Sequence, residues 1–143
     1  MKSILFLWAA CLLMMSFPAL AQKVELKKGK VIVDKQERFQ FERRLFNSEF
    51  VLRTLQEGDE LLSIIRNDNG TDHYWEDDFI QIVFPGSQVS LISYRLKDLS
   101  YARLLNMIVR DQVISRDGRI DEEKLRVFFL KYDDSPAPPF MAY

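Results

Sequence analysis

The sequence predicts an α+β domain: an antiparallel meander of about seven strands, able to curl, packed by two C-terminal helices. Three observations predict it. The stretch from Glu49 to Asn67 holds two apolar runs, Phe50-Val51-Leu52 and Leu61-Leu62-Ser63-Ile64-Ile65, split by Gln56-Glu57-Gly58-Asp59. That pattern reads as a β-hairpin. Side chains alternate faces along a strand, so consecutive apolar residues ask for cover on both faces and put this hairpin mid-sheet. Further short apolar runs bounded by turn residues flank it on both sides. Beyond them the period changes: Tyr101, Leu104, Leu105 and Ile108, then Leu125, Phe128, Phe129 and Tyr132, each form one stripe of a helix.

The chain opens with a targeting pattern. Lys2 supplies a positive charge, Ile4 to Met15 is apolar throughout, and Ser16-Phe17-Pro18 breaks the run. Ala19-Leu20-Ala21 fits small-x-small cleavage, so residues 1–21 are expected to be a signal peptide. The run is too short for a bilayer, which needs about 20 residues. No transmembrane segment is expected after cleavage. A rival reading places a lipid on Cys11 after Ala9-Ala10. Against it, Trp8 stands where a branched aliphatic residue belongs, and Leu12-Leu13-Met14-Met15 would become the mature N-terminus. The expected location is periplasmic or secreted.

Residues 22–132 are expected to form a single domain, large enough for a real core. The formal net charge of the 143-residue chain is −1, and loss of Lys2 lowers it by one unit. Such a balance gives no support for nucleic acid or an anionic membrane as partner. Cys11 is the only cysteine and leaves with the signal, so neither disulfide nor thiol chemistry is expected. Stability must come from burial, which a hydrophobic content of 48% allows.

Val24-Glu25-Leu26-Lys27 alternates apolar and charged residues as a half-buried strand does, and Lys28-Gly29 turns the chain. Val31-Ile32-Val33 follows, ended by Asp34-Lys35-Gln36. In Arg38-Phe39-Gln40-Phe41-Glu42 the two phenylalanines share one face, which suggests cover on one side only. Leu45-Phe46-Asn47-Ser48 turns into the central hairpin. After Asn67 the chain is most polar, from Asp68 to Asp78, with a strong turn signal at Asn69-Gly70. Phe79-Ile80-Gln81-Ile82-Val83-Phe84 is a strand stopped by Pro85-Gly86, and Val89-Ser90-Leu91-Ile92 is the last. A meander this long tends to curl or close partly to hide its edges. Asp98 can cap the first helix. Asp121 can cap the second, with Glu122 and Glu123 at its positive end, Ile120 stapled onto Leu125, and Lys131 near its other end. Residues 133–143, with Pro136, Pro138 and Pro139, are expected to be a flexible tail.

The oxygen-rich loop is the metal candidate. Asp68, Asp72, His73, Glu76, Asp77 and Asp78 offer ligands of the kind Ca²⁺ or Mg²⁺ takes, but no known ligand spacing appears, and a solvated loop between strands is normally polar. Asn69-Gly70-Thr71 matches the N-glycosylation pattern, which counts only in a eukaryotic secretory pathway. His73 is the only histidine, and no nucleophile motif accompanies it. Ser115 to Asp121 imitates part of an EF-hand loop, but the register puts Val113 and Lys124 at ligand places, so an Asp117-Gly118 turn before a capped helix is expected. Glu57, Asp59 and Glu60 sit where a turn explains their charge. The helices show no basic recognition face. Tyr74 and Trp75, beside the acidic loop, either meet a partner or fold back onto the sheet. No catalytic residue and no cofactor is expected.

Several segments together carry a resemblance: VELKKGKVIVD from Val24, GDELLSII from Gly58, IQIVFPG from Ile80, and YARLLNMIVRDQVISRDGRIDEEKLRVFFLKY from Tyr101. The set resembles small exported proteins of the Bacteroidota of unknown function, across most of the mature chain. The Asp-Gly usual after the second strand is here Asp34-Lys35. The resemblance implies export from a Gram-negative cell and carries no activity. FVLRTLQEGDELLSII is also similar to strand-turn-strand units of tubby-like sheets, which implies a curled sheet. The expected function is an exported non-catalytic module, acting on a protein partner or in the envelope, or by self-association. The alternatives are a carrier of a small apolar ligand within a curled sheet, or a metal-dependent hydrolase at the acidic loop.

Overall fold

Chain order and spatial order coincide in the sheet. The computed structural model describes residues 23–135. The expected signal peptide, Cys11 within it, and residues 136–143 lie outside the described residues. Strands β1 (Val24–Lys27), β2 (Lys30–Val33), β3 (Gln36–Arg44), β4 (Glu49–Thr54), β5 (Glu60–Asn67), β6 (Phe79–Phe84) and β7 (Val89–Ser93) form one seven-stranded antiparallel meander. Helices α1 (Tyr101–Arg110) and α2 (Glu122–Tyr132) follow. The fold is α+β as predicted, and the sheet is open, with β1 and β7 as its edges.

Tight turns set the register. Lys28 and Gly29 have φ of 51° and 75°, as a two-residue hairpin turn requires. Asp34 and Lys35 repeat this with φ of 51° and 67°, so a lysine takes the left-handed place that glycine favours. The Asp34 carboxylate accepts a hydrogen bond from the Lys23 amide at 3.1 Å.

Pairing aligns Phe50, Ile64, Ile82 and Leu91 across four strands on one face. Leu52, Leu62, Ile80 and Phe84 are buried with them. Tyr101, Leu104, Leu105 and Ile108 of α1 cover this face, with Leu125 and Phe128 of α2. α1 packs towards β1 and α2 towards β7. The other face is treated differently. Val51 and Ser63 are buried there, opposite one another in register. The Arg53 guanidinium reaches Glu42, the cross-strand neighbour of Val51, at 2.9 Å, and also donates to the Gly58 carbonyl at 3.1 Å. Long polar side chains bury their stems in this way while keeping charge in water. The expectation of a two-sided central hairpin therefore holds at Val51 and Ser63, but only one face lies under helices.

The caps differ from expectation at one end. Ser100, not Asp98, caps α1, its hydroxyl accepting from the Arg103 amide at 3.2 Å. Asp98 lies too early in the chain to reach the first turn. Asp121 caps α2 as expected, accepting from the Glu123 and Lys124 amides at 3.1 and 3.0 Å. Between the helices, Ile114 and Ile120 bridge across the Asp117-Gly118 turn. Gly118 has φ +82°, and a Cβ there would stand 3.1 Å from Thr54 Cγ2, so the turn needs glycine for both backbone and space.

The helices run opposite ways along the sheet. α1 starts beside the β3–β4 turn, where the Tyr101 hydroxyl donates to the Asn47 carbonyl at 2.7 Å. α2 starts beside the β6–β7 turn, where Ser87 donates to Glu122 at 2.5 Å, and returns. Beyond α2 the tail expected from Asp133 onward is held in its first residues. The Asp133 carboxylate accepts from the Ile92 amide at 2.9 Å, and the Asp134 amide donates to the Ile92 carbonyl at 2.7 Å.

Candidate functional site

The loop from Asp68 to Asp78 joins β5 to β6 and folds largely upon itself. Asn67 Oδ1 accepts from the Asn69 amide at 2.7 Å, and Asp68 Oδ1 from the Gly70 amide at 3.0 Å. Asn and Asp favour such local bonds, which explains their density here. Thr71 donates to both Asp77 oxygens at 2.8 Å, and Asn69 Nδ2 reaches Asp77 at 3.2 Å. The Tyr74 hydroxyl donates to Glu76 at 3.0 Å. Asp72 and His73 are exposed, with His73 in a left-handed backbone at φ 68°. Among the described residues, no three His, Cys, Asp or Glu side chains converge as a metal site would require. Replacing Asp77 with Ala is expected to speed amide exchange across residues 68–78 by about tenfold and leave the sheet amides protected. Exchange measured by mass spectrometry checks this; unchanged loop amides would contradict it.

Of the expected site residues, Asp68, Trp75 and Asp78 line a hollow of about 590 Å³. Ser48, Arg66 and Lys97 line it as well. Arg66 is braced: it donates to the Lys97 and Leu99 carbonyls at 2.8 and 2.6 Å and lies 4.6 Å over the Tyr101 ring. Lys97 Nζ donates to the Trp75 carbonyl at 2.5 Å, and the Asp78 amide does so at 3.3 Å. Asp78 Oδ1 is buried with no hydrogen-bond partner among the described residues. The Trp75 backbone is thus fixed while its side chain is 75% exposed.

A second apolar tip stands beside this hollow, ending two residues before Ser48. Phe46 is fully exposed at 107% and Leu45 at 68%. Leu45, Phe46 and Asn47 are consecutive left-handed residues with φ of 51°, 53° and 71°. Left-handed backbone costs a residue with a Cβ about 1–2 kcal/mol. The Ser48 amide and hydroxyl hold the turn by donating to the Leu45 carbonyl at 3.1 and 2.6 Å. Arg66, through its amide, donates to the Ser48 carbonyl at 2.8 Å, tying this turn to β5. Tyr94 is also exposed at this end, its ring 5.7 Å from that of Phe79 on the hollow wall.

Tyr74 and Trp75 do not fold back onto the sheet; both are exposed. Leu45 and Phe46 read in the sequence as part of a turn with no surface role. Their signal is positional. Arg44 pairs with Glu49, so residues 45–48 extend past the sheet, and apolar residues there cannot join its faces. The chain matches no protein-family model, and comparison with curated proteins and with solved structures finds no match.

Proposed function

We propose that the chain is an exported, non-catalytic interaction module whose partner surface is the end of the sheet formed by the β3–β4 turn and the β5–β6 loop. One observation carries the reading: Leu45 and Phe46 project from a left-handed turn at the same end of the sheet as exposed Tyr74 and Trp75. Strained backbone that presents large apolar side chains to water lowers the stability of the free chain, and an interface restores the loss. The partner is a protein groove, apolar at its centre, that receives Leu45 and Phe46. Export rests on the signal pattern in residues 1–21 and on the resemblance to exported Bacteroidota proteins.

Two measurements test it. Expressed with residues 1–21 in a Gram-negative cell, the chain is expected in the periplasm or medium with Gln22 as its first residue; a cytoplasmic chain that keeps residues 1–21 would overturn export. A photo-crosslinking amino acid at position 46 or 75 is expected to capture a discrete protein adduct, and one at position 57, on the opposite end, is not. An adduct at twice the chain mass identifies a second copy. Equal labelling at all three positions, or none, would overturn the interaction surface.

A further inference from the structure

We propose that the opposite end of the domain carries a binding site for a small amphiphilic anion, an apolar chain ending in a carboxylate. A hollow of about 500 Å³ opens there between the β2–β3 turn and the α1–α2 connection. Its volume lies within the range of about 300–1,000 Å³ usual for ligand pockets. The floor is apolar: Val33, Phe39, Val109 and Ile114 line it. The rim carries two guanidinium groups, Arg38 and Arg116.

Asp34 and Asp121 line the hollow too, so its formal charge is zero, but neither carboxylate pairs with an arginine. Asp34 accepts from the Lys23 amide, and Asp121 caps α2. One oxygen of each carboxylate therefore accepts from backbone donors rather than from the arginines. Asp117 lines the neighbouring hollow, and it accepts from Ser115 and pairs with Arg119 at 3.3 Å. Among the described residues, neither Arg38 nor Arg116 has a carboxylate partner, although Arg38 donates to the Gln36 amide oxygen. Guanidinium groups bind carboxylates through paired N–H donors, and such charge-assisted bonds are the strong ones. An apolar floor under two unpaired guanidinium groups favours a ligand with both features over one with either alone. Contact with the floor adds roughly 25 cal/mol per Å² of apolar surface removed from water. The adjoining hollow also touches Arg38, Phe39 and Arg116, but Phe39 and Leu55 are its only large apolar residues. The apolar chain therefore lies on the α1 side.

Octanoate, acetate and 1-octanol separate the two contributions, read as amide shifts in a titration of the full chain purified from the cell. Octanoate is expected to shift amides in residues 33–39 and 109–121, and to bind at least about tenfold tighter than either control. The double variant R38Q/R116Q is expected to weaken octanoate by about tenfold or more and leave 1-octanol unchanged. Both arginines lie outside the core, so the variant should fold; an unaltered amide spectrum away from the cleft verifies that. Acetate or 1-octanol binding as tightly as octanoate, shifts elsewhere, or a double variant that binds octanoate like the parent would each overturn the proposal. A variant at Phe46 and Trp75 should bind octanoate normally, so this site and the interaction surface stand or fall separately.

Discussion

Phe50→Ala is expected to remove about 3–5 kcal/mol of stability, the usual range for deleting a fully buried aromatic ring. Phe50 is 0% exposed at the centre of the sheet. Its ring lies 5.1 Å from Phe41 and 5.0 Å from Tyr101, both stacked, so it joins β3 to the first turn of α1. Alanine leaves a cavity that neighbouring strands cannot close without losing register with Ile64. Domains of this kind hold about 5–15 kcal/mol in total, so a large share would go. Phe46→Ala, four residues earlier, is the matched control. Its ring touches little and stands in water, so the change is expected within about 0.5 kcal/mol. Denaturant midpoints followed by circular dichroism separate the two. Similar losses for both variants would mean that Phe46 is packed and that the exposed tip does not exist.

That pair also marks how far the sequence is legible. Within a few residues Phe46 and Phe50 carry the same side chain, one outside and one in the core. Local composition cannot tell them apart, because the difference lies in where β3 stops pairing with β4. Where period alone decides, the reading holds. Tyr101, Leu104, Leu105 and Ile108 are all buried on α1, as their spacing requires. Phe79 to Phe84 forms β6 over the expected residues. The acidic stretch is legible as a loop, since Asn, Asp and Gly leave it little else, but not as a set of carboxylates turned onto their own loop. Arg66 reads as the charged end of a strand; its two carbonyl acceptors come from residues 97 and 99, far along the chain. Likewise Arg38 and Arg116 meet only because α1 ends where the β2–β3 turn lies. Contacts made by the path of the chain in space leave no mark in a short window of sequence.

Asp134→Ala is expected to cost about 2–3 kcal/mol, as the loss of hydrogen bonds to a charged acceptor does. The Asp134 carboxylate accepts from the Ser93 hydroxyl at 3.1 Å, the Tyr94 amide at 3.1 Å, the Arg95 amide at 3.3 Å and Arg95 Nε at 2.8 Å. Arg95 in turn donates to the Lys131 carbonyl at 3.0 Å, closing the path back to α2. With Asp133 and the Asp134 amide on Ile92, this clasp covers part of the free edge of β7, which would otherwise invite another strand. It also fastens the end of α2 to the sheet that α2 covers. Burial by itself raises the pKa of Asp134, but bonds from the Arg95 amide, the Ser93 hydroxyl, the Arg95 guanidinium and the Tyr94 amide outweigh it and hold the carboxyl below its ordinary value. A carboxyl whose pKa is lower folded than unfolded stabilises the domain fully above the ordinary aspartate range. That contribution fades as pH falls through this range and is gone once the folded carboxyl is protonated. The gap between the parent and Asp134→Ala should therefore be widest near neutral pH and narrow in acid. Asp134→Asn, which keeps one carbonyl acceptor, should lose less and show little of that pH dependence. Denaturation curves for the three proteins, taken in steps from neutral to strongly acid, read both effects. A parent and alanine variant separated by the same margin at every pH would mean that the carboxylate charge does not hold the clasp.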